Sequence, residues 1–182
     1  DGWGRILEQV EGSVLLIYTA NESAKINLVK EIVLRGIDSS RLIFGERLPK
    51  PEYLARYRVA DLFLDTLPYN AGTTASDALR MGLPVLTCMG NSFASRMSAS
   101  IVNAVNLPEL VCTGQDEYER MAIDLATHPE KLKIIKDKLA NNLSTAPLYD
   151  TPLFTRHLES AYLTMYDRYQ QGLEPDHIYV EH

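Results

Sequence analysis

Short apolar runs alternate along this chain with longer segments in which apolar residues recur every three to four positions. The first kind of run is typical of a strand buried in a sheet, and the second of an amphipathic helix. Strands that alternate with helices pair in parallel, because each helix carries the chain back across the sheet. The sequence therefore predicts an α/β fold in which helices flank a parallel sheet.

The pattern also predicts where each element lies. Strands are expected at 13–18, 41–44, 59–64, 83–87 and 110–112, and helices at 3–10, 23–34, 74–81, 93–105, 115–126, 129–141 and 151–171, together with a short helix that begins at Pro51. The strand at 13–18 is a continuous apolar run, so we expect both of its faces to be buried. On the following helix we expect Ile26, Val29, Ile32 and Val33 to face inward.

The order of the elements predicts two regions. Because a helix opens the pattern, we expect a preceding strand that the sequence does not contain, so that residues 1–150 form a Rossmann-like domain without its first strand. Residues 151–180 form a long C-terminal helix and a tail. The helix carries a stripe of tyrosines and a methionine at helical spacing, which is typical of a core or an interface. Glu181 and His182 resemble the start of an expression tag and are left out of the functional argument.

Composition excludes several classes of protein. The hydrophobic fraction of 46% and the charged fraction of 23% exclude a disordered scaffold. A formal charge of −6 argues against a nucleic-acid-binding face. The longest apolar run, 14–18, is far shorter than the roughly 20 residues that cross a bilayer. No basic-then-apolar leader is present, and Cys88 and Cys112 have no metal-binding spacing, so we expect a cytoplasmic protein with free thiols.

The segment 65–77 has the composition of a ligand-binding loop. It follows a predicted strand, at the sheet edge where ligands of open parallel sheets collect. Gly72 permits close backbone approach, and Thr73 and Thr74 then begin a helix whose free N–H groups favour an anion such as a diphosphate. Asp77, one turn later, is placed to accept hydrogen bonds from ribose hydroxyls. A capping box formed by Thr74 and Asp77 would explain the same residues without a ligand, and both interpretations remain open.

Two further loops follow predicted strands. In the segment 88–96, Ser95 and Arg96 stand at a helix start, where the arginine either forks onto a phosphate or pairs with an acidic neighbour. In the segment 47–56, Tyr53 offers an aromatic face and Lys50 a phosphate-reaching cation. Histidines 128, 157 and 177 lack the spacing of metal ligands, so we predict no metal site.

Three separated motifs together resemble a known family. They are the runs 64–79 (LDTLPYNAGTTASDAL), 82–87 (GLPVLT) and 93–96 (FASR). The sequence resembles the bacterial SPINDLY-like branch of the O-linked N-acetylglucosamine transferase family over nearly its whole length. This resemblance implies one half of a GT-B glycosyltransferase fold, namely the C-terminal half that binds the donor nucleotide.

The resemblance also implies roles for individual residues. It assigns the diphosphate to Gly72, Thr73 and Thr74, and the ribose to Asp77. Gly72 departs from the animal enzymes, which have a histidine there, and a lysine that supports the diphosphate in the family lies outside this chain. The resemblance assigns no catalytic residue to this chain. Ser95 and Arg96 remain candidates for a phosphate-binding or a structural role. The residues expected to bind the base are Leu48, Lys50, Tyr53 and Arg56.

The activity implied for the parent protein is transfer of N-acetylglucosamine from UDP-GlcNAc to serine or threonine of a protein. Two alternatives remain open: a GDP-fucose-like donor, and a non-catalytic nucleotide-binding or interaction module. The resemblance implies no metal or other cofactor. It implies partners outside this chain: an N-terminal catalytic domain toward which the last helix packs, tetratricopeptide repeats and a protein acceptor. The chain alone is expected to be inactive, and its last helix is a candidate for self-association.

Overall fold

Five parallel strands and the helices between them alternate through residues 2–180, which are the residues that the computed structural model describes. The strands are β1 (Leu15–Tyr18), β2 (Leu42–Gly45), β3 (Phe63–Leu64), β4 (Val85–Cys88) and β5 (Val111–Cys112). The helices are α1 (Gly2–Gln9), α2 (Glu22–Leu34), α3 (Lys50–Arg56), α4 (Thr73–Arg80), α5 (Met97–Ala104), α6 (Gln115–Thr127), α7 (Pro129–Asn142) and α8 (Thr151–Gln170). Glu181 and His182, set aside above, lie outside the described residues.

The strands form two parallel sheets. In the smaller sheet β1 pairs with β2, with Leu15 opposite Leu42. In the larger sheet β4 lies between β3 and β5. The predicted α/β class is therefore confirmed, with helices flanking parallel strands, although the described strands form two sheets where the sequence analysis expected one.

A large hydrophobic core surrounds β4, and a smaller one lies under β1 and β2. All four residues of β4 are buried, and α4, α5 and α6 pack against it. Helix α1 contributes to both cores, because Ile6 joins the larger one, as does Val10 directly after the helix, whereas Leu7 packs with Ile32 in the smaller one. Helix α1 therefore lies where the two sheets meet.

The prediction that β1 is buried on both faces is wrong. Burial alternates along the strand, and the side chains of Leu16 and Tyr18 are exposed. On α2 only Ile32 is buried, and Ile26 and Val33 are exposed. Helix α2 covers one face of this two-stranded sheet, and in the described structure the other face has no such cover.

Two predicted elements begin later than expected. The strand expected at 59–64 is reduced to Phe63–Leu64, because Tyr57–Val59 form a 3₁₀ turn. The helix expected from residue 93 begins at Met97, because Ser92 and Ser95 hydrogen-bond to each other and close a turn ahead of it. In both places a local turn competes with the regular element that the apolar pattern favours.

The last helix lies on the surface. No residue of α8 is buried, and its tyrosines 162, 166 and 169 are all exposed. Asp150 caps the helix by accepting the N–H of Leu153 at 2.9 Å. Among residues 2–180, no helix is both long and apolar enough to span a membrane.

An ion pair between Arg5 and Glu119 joins α1 to α6. Two guanidinium nitrogens of Arg5 donate to the two carboxylate oxygens of Glu119, each at 2.7 Å. This bidentate hydrogen bond, helped by Gln115, holds the pKa of Glu119 well below its ordinary value, at about 2. A carboxylate whose pKa is lowered by folding stabilises the fold above its unfolded pKa and loses that contribution as the pH falls toward the folded pKa.

We therefore predict that Glu119→Gln lowers the melting temperature at neutral pH by about 2–4 °C. The difference from the unaltered chain should be fully present above about pH 5. It should shrink between about pH 4.5 and pH 2, where Glu119 is protonated in the unfolded chain but still mostly ionised in the folded one. Thermal unfolding followed by circular dichroism across this range tests both points. The control is Asp124→Asn, at a residue of α6 like Glu119; it removes an exposed ion pair with Lys131 of α7 and should change the melting temperature much less. A pH-independent effect of Glu119→Gln would contradict the prediction.

Candidate functional site

Two adjoining clefts lie at the carboxyl ends of β3 and β4. The first has a volume of about 300 Å³ and is lined by β3, by the loop that follows it and by the start of α4. The second, of about 260 Å³, shares Asp65 and Thr66 with the first and extends to Gly2 and Trp3 at the start of α1. This edge is where open parallel sheets bind ligands. The clefts therefore occupy the place that the sequence analysis predicts for a site.

The loop between β3 and α4 is held by its own hydrogen bonds. The hydroxyl of Thr66 donates to the carbonyl of Tyr69 at 2.8 Å, and the side-chain amide of Asn70 donates back to the carbonyl of Thr66 at 2.8 Å. The Leu67–Pro68 peptide bond is cis. The N–H of Asn70 donates to the carbonyl of Ala94, which ties this loop to the one that follows β4. The two loops therefore form one surface beside α4.

The N-terminus of α4 has no side-chain cap. Gly72 is the N-cap residue, its carbonyl accepts the N–H of Ser76, and within residues 2–180 no side-chain oxygen caps this end. Thr73 and Thr74 are the first two residues of the helix, and both are exposed. The capping-box alternative is wrong, because the helix begins one residue before Thr74 and Asp77 bonds elsewhere. The positive end of the helix dipole is therefore left open to the cleft.

Asp77 forms an ion pair with Lys50 rather than a cap. The ammonium of Lys50 donates to a carboxylate oxygen of Asp77 at 2.6 Å, and the two side chains are 59% and 20% exposed. The same ammonium lies 5.0 Å from the centroid of the Tyr53 ring, within the range of a cation–π contact. This ion pair joins α3 to α4 and brings together three residues that the sequence analysis assigned to a nucleotide.

The remaining residues assigned to the base have structural contacts of their own. The guanidinium of Arg56 donates to the carbonyl of Glu46 at 2.9 Å and lies 6.0 Å from the Tyr53 ring. The hydroxyls of Tyr53 and Tyr57 are hydrogen-bonded at 2.5 Å, and burial raises the pKa of the Tyr57 hydroxyl. Leu48 is half-buried in the segment that leads into α3. The contacts with Tyr57 and Arg56 thus fix the orientation of the Tyr53 ring.

Ser95 and Arg96, the two residues singled out in the loop after β4, lie in different surroundings. Ser95 is buried, its hydroxyl bonds Ser92, and a Cβ atom on Gly90 would lie 2.5 Å from that hydroxyl. Ser95 therefore has a structural role. Arg96 is exposed, and within the described chain no acidic side chain pairs with it.

Sequence reasoning missed the residues that support the loop before α4. Asp65 accepts the N–H of Ala71 at 2.8 Å and the hydroxyl of Thr87 at 2.7 Å, and its carbonyl accepts the hydroxyl of Tyr118. The hydroxyl of Ser98 donates to the carbonyl of Ala71 at 2.6 Å. The only local signal in the sequence is an acidic residue directly after an apolar strand.

The two cysteines are placed to pack rather than to react. Cys88 and Cys112 are opposite each other on β4 and β5, and both are buried. Burial raises the pKa of both thiols, that of Cys112 to about 11, so neither is a thiolate at neutral pH. Throughout residues 2–180, no three histidine, cysteine, aspartate or glutamate side chains are grouped so as to hold a metal ion.

Comparison with known proteins places this chain among glycosyltransferases. The model of glycosyl transferase family 41 matches residues 1–158. A UDP-N-acetylglucosamine–peptide N-acetylglucosaminyltransferase of Caenorhabditis elegans is 33% identical over 178 residues, which is 98% of this chain and 16% of that protein. SPINDLY of Hordeum vulgare, described as a probable UDP-N-acetylglucosamine–peptide N-acetylglucosaminyltransferase, is 32% identical over 180 residues, which is 95% of this chain and 19% of that protein.

A solved structure shares the fold. A mutant O-GlcNAc transferase of Thermobaculum terrenum superimposes with a TM-score of 0.87 and 31% sequence identity, over 94% of this chain and 34% of the matched chain. The chain thus spans less than a fifth of the length of the curated relatives and about a third of the matched structure.

The open start of α4 yields a test of stability. We predict that Thr74→Ala leaves the melting temperature unchanged or slightly raised, because the hydroxyl caps no N–H and alanine favours helix more than threonine does. The control is Asn21→Ala, which removes a side chain that caps α2 by accepting the N–H of Ala24 and should lower the melting temperature by about 2–4 °C. Equal losses for the two variants, measured by thermal unfolding, would show that Thr74 is a cap after all.

Proposed function

Since the chain belongs to glycosyl transferase family 41, we propose that it binds the nucleotide diphosphate of a sugar donor, as the donor-binding half of a GT-B glycosyltransferase. The observation that carries this proposal is the Lys50–Asp77 ion pair at 2.6 Å. It places Tyr53 and both partners of the ion pair beside the uncapped start of α4. A nucleotide diphosphate presents a flat base, a ribose and a diphosphate in that order. The aromatic ring with its lysine, the carboxylate and the helix start follow one another in the same order along this edge.

The chemistry of the donor assigns each group a task. The exposed hydroxyls of Thr73 and Thr74 and the first N–H groups of α4 bind the diphosphate, whose charge grows as the bond to the sugar breaks. Asp77 accepts hydrogen bonds from the ribose hydroxyls, which exchange for its bond to Lys50. Lys50 and the Tyr53 ring then bind the base. Main-chain and hydroxyl donors of this kind stabilise a leaving diphosphate without a metal ion.

We propose UDP-GlcNAc as the donor and serine or threonine of a protein as the acceptor. The relatives from Caenorhabditis elegans and Hordeum vulgare support the donor and a peptide acceptor, because their names include UDP-N-acetylglucosamine and peptide. Calorimetric titration of this chain with UDP tests the binding step directly. Heat that saturates with UDP supports the proposal, and preferential binding of GDP would point to a guanine nucleotide donor instead. The absence of heat at millimolar UDP would leave a non-catalytic interaction module as the better reading.

We further propose that other parts of the parent protein complete this unit. A Rossmann-like sheet is continuous, whereas β1 and β3 here are edge strands of separate sheets, and α1 packs into the core of each. One additional parallel strand between β1 and β3 would join the sheets and precede α1 in the right-handed βαβ arrangement. The exposed tyrosine face of α8 then packs on the catalytic half, which together with the tetratricopeptide repeats binds the protein acceptor.

The first prediction for this site concerns Asp77. Asp77→Ala should weaken UDP binding by about 10- to 100-fold, or roughly 1.5–3 kcal/mol, because hydrogen bonds to a charged group are lost. The control is Asp61→Ala, which breaks an exposed ion pair with Lys136 before β3, at the opposite end of that strand. Calorimetry should show unchanged affinity for the control. Unchanged affinity for Asp77→Ala would contradict the ribose assignment.

The second prediction concerns the threonines. Thr73→Val and Thr74→Val should each weaken binding of UDP by about tenfold and leave binding of uridine nearly unchanged, because only UDP carries the diphosphate that the hydroxyls bind. Thr155→Val, which removes a hydroxyl on α8 that bonds the Thr151 carbonyl, serves as a matched control and should alter neither affinity. If both ligands lose affinity equally, the phosphate assignment is wrong.

A further inference from the structure

Asp65 is the last residue before the loop that leads to α4, and all of its polar groups are in use. Its N–H donates to the carbonyl of Leu86 at 3.0 Å. One carboxylate oxygen accepts the N–H of Ala71 at 2.8 Å, and the other accepts the hydroxyl of Thr87 at 2.7 Å. Its carbonyl accepts the hydroxyl of Tyr118 at 2.8 Å. Asp65 lines both clefts but is only 5% exposed, so it offers a ligand little surface of its own.

The donors that hold Asp65 come from rigid parts of the fold. Thr87 is a fully buried residue of the central strand β4, and Tyr118 is a buried residue of α6. Burial raises the pKa of the Tyr118 hydroxyl, which therefore remains a proton donor at any physiological pH. Asp65 is thus fixed relative to the sheet and to α6 before the loop begins.

Ala71 is fixed at both of its backbone polar groups. Its N–H is held by Asp65, and its carbonyl accepts the hydroxyl of Ser98 at 2.6 Å. In a planar trans peptide unit the carbonyl and the following N–H point in opposite directions. The N–H of Gly72 therefore points away from Ser98, in a direction that these two contacts determine. Gly72 is the N-cap of α4, so the same contacts set where the first N–H groups of the helix point.

We propose that Asp65 is a positioning residue for the diphosphate, acting through Ala71 to aim the amides at the start of α4. The proposal rests on the proposed function of this site. A carboxylate behind a phosphate site would by itself repel the ligand. Here both carboxylate oxygens accept hydrogen bonds from an N–H and an O–H group, and the N–H belongs to the turn that precedes the site. The acid therefore orients donors whose own contacts with the phosphate outweigh its charge.

The test compares UDP with uridine in calorimetric titrations of three variants. Asp65→Ala removes the acceptor of the Ala71 N–H and should weaken UDP binding by about tenfold or more, with uridine affected less than about threefold. Asp65→Asn keeps an acceptor for that N–H and should bind both ligands within about threefold of the parent chain. Asp61→Ala is the matched control, because it makes the same substitution at an exposed aspartate that pairs with Lys136 and should leave the ratio of the two affinities unchanged.

Three results would overturn the proposal. In the first, Asp65→Ala changes the affinity ratio no more than Asp61→Ala does. In the second, it weakens the binding of UDP and uridine equally. In the third, Asp65→Asn binds UDP more tightly than the unaltered chain, as relief of charge repulsion requires. If Asp65→Ala does not fold, Ser98→Ala replaces it, because it frees the other end of Ala71. A selective loss of UDP binding in Ser98→Ala supports the proposal, and an unchanged affinity ratio overturns it.

Failure of the proposed function is recognised separately. If the chain without substitutions binds neither UDP nor uridine, the donor-binding role fails. The effect of Asp65 on the turn is still measurable by amide hydrogen exchange. Faster exchange at Ala71 and Ser76, which donate within and after the turn, should appear in Asp65→Ala and not in Asp61→Ala. Equal exchange in the two variants would show that Asp65 does not position the turn.

Discussion

The complete burial of β4 constrains the rest of the larger sheet, because three helices and two strands must all pack around one short segment. With β3 and β5 on either side and α4, α5 and α6 against its faces, β4 fixes where the neighbouring loops emerge. Parallel strands bring their carboxyl ends to one edge, so the loops after β3 and β4 meet there. The two clefts and the start of α4 are consequences of that packing.

The sequence was sufficient to predict the order of the elements and the sheet edge at which the clefts lie, because both depend on local patterns. Apolar periodicity located all eight helices to within a few residues, and the Gly72-Thr73-Thr74 run marked a helix start. The burial of β1 was misjudged because a continuous apolar run does not show which face a helix covers. The support that Asp65 supplies was missed because Tyr118 lies 53 residues away in the chain, so that only the fold brings them together.

The Lys50–Asp77 pair shows a second limit of local reasoning. Asp77 fits a capping box in sequence, since it stands three residues after Thr74, and a cap would need no partner outside α4. The structure instead pairs it with a lysine 27 residues earlier, on another helix. An exposed lysine and a mostly buried carboxylate make an ion pair that a ligand with hydroxyl donors is able to replace, because the ammonium regains water as the carboxylate gains new bonds.

A protein with a net charge of −6 that binds a diphosphate must attract it with local donors rather than with its overall field. Salt screens the distant acidic groups over about 8 Å at physiological ionic strength, whereas N–H groups in direct contact with phosphate are hardly screened. Such donors act only if their directions are set before the ligand arrives, since each one contributes little when it is free to turn away. Under the proposed function, the buried contacts of Asp65 behind the turn supply that order, which makes a carboxylate at this position compatible with binding of an anion.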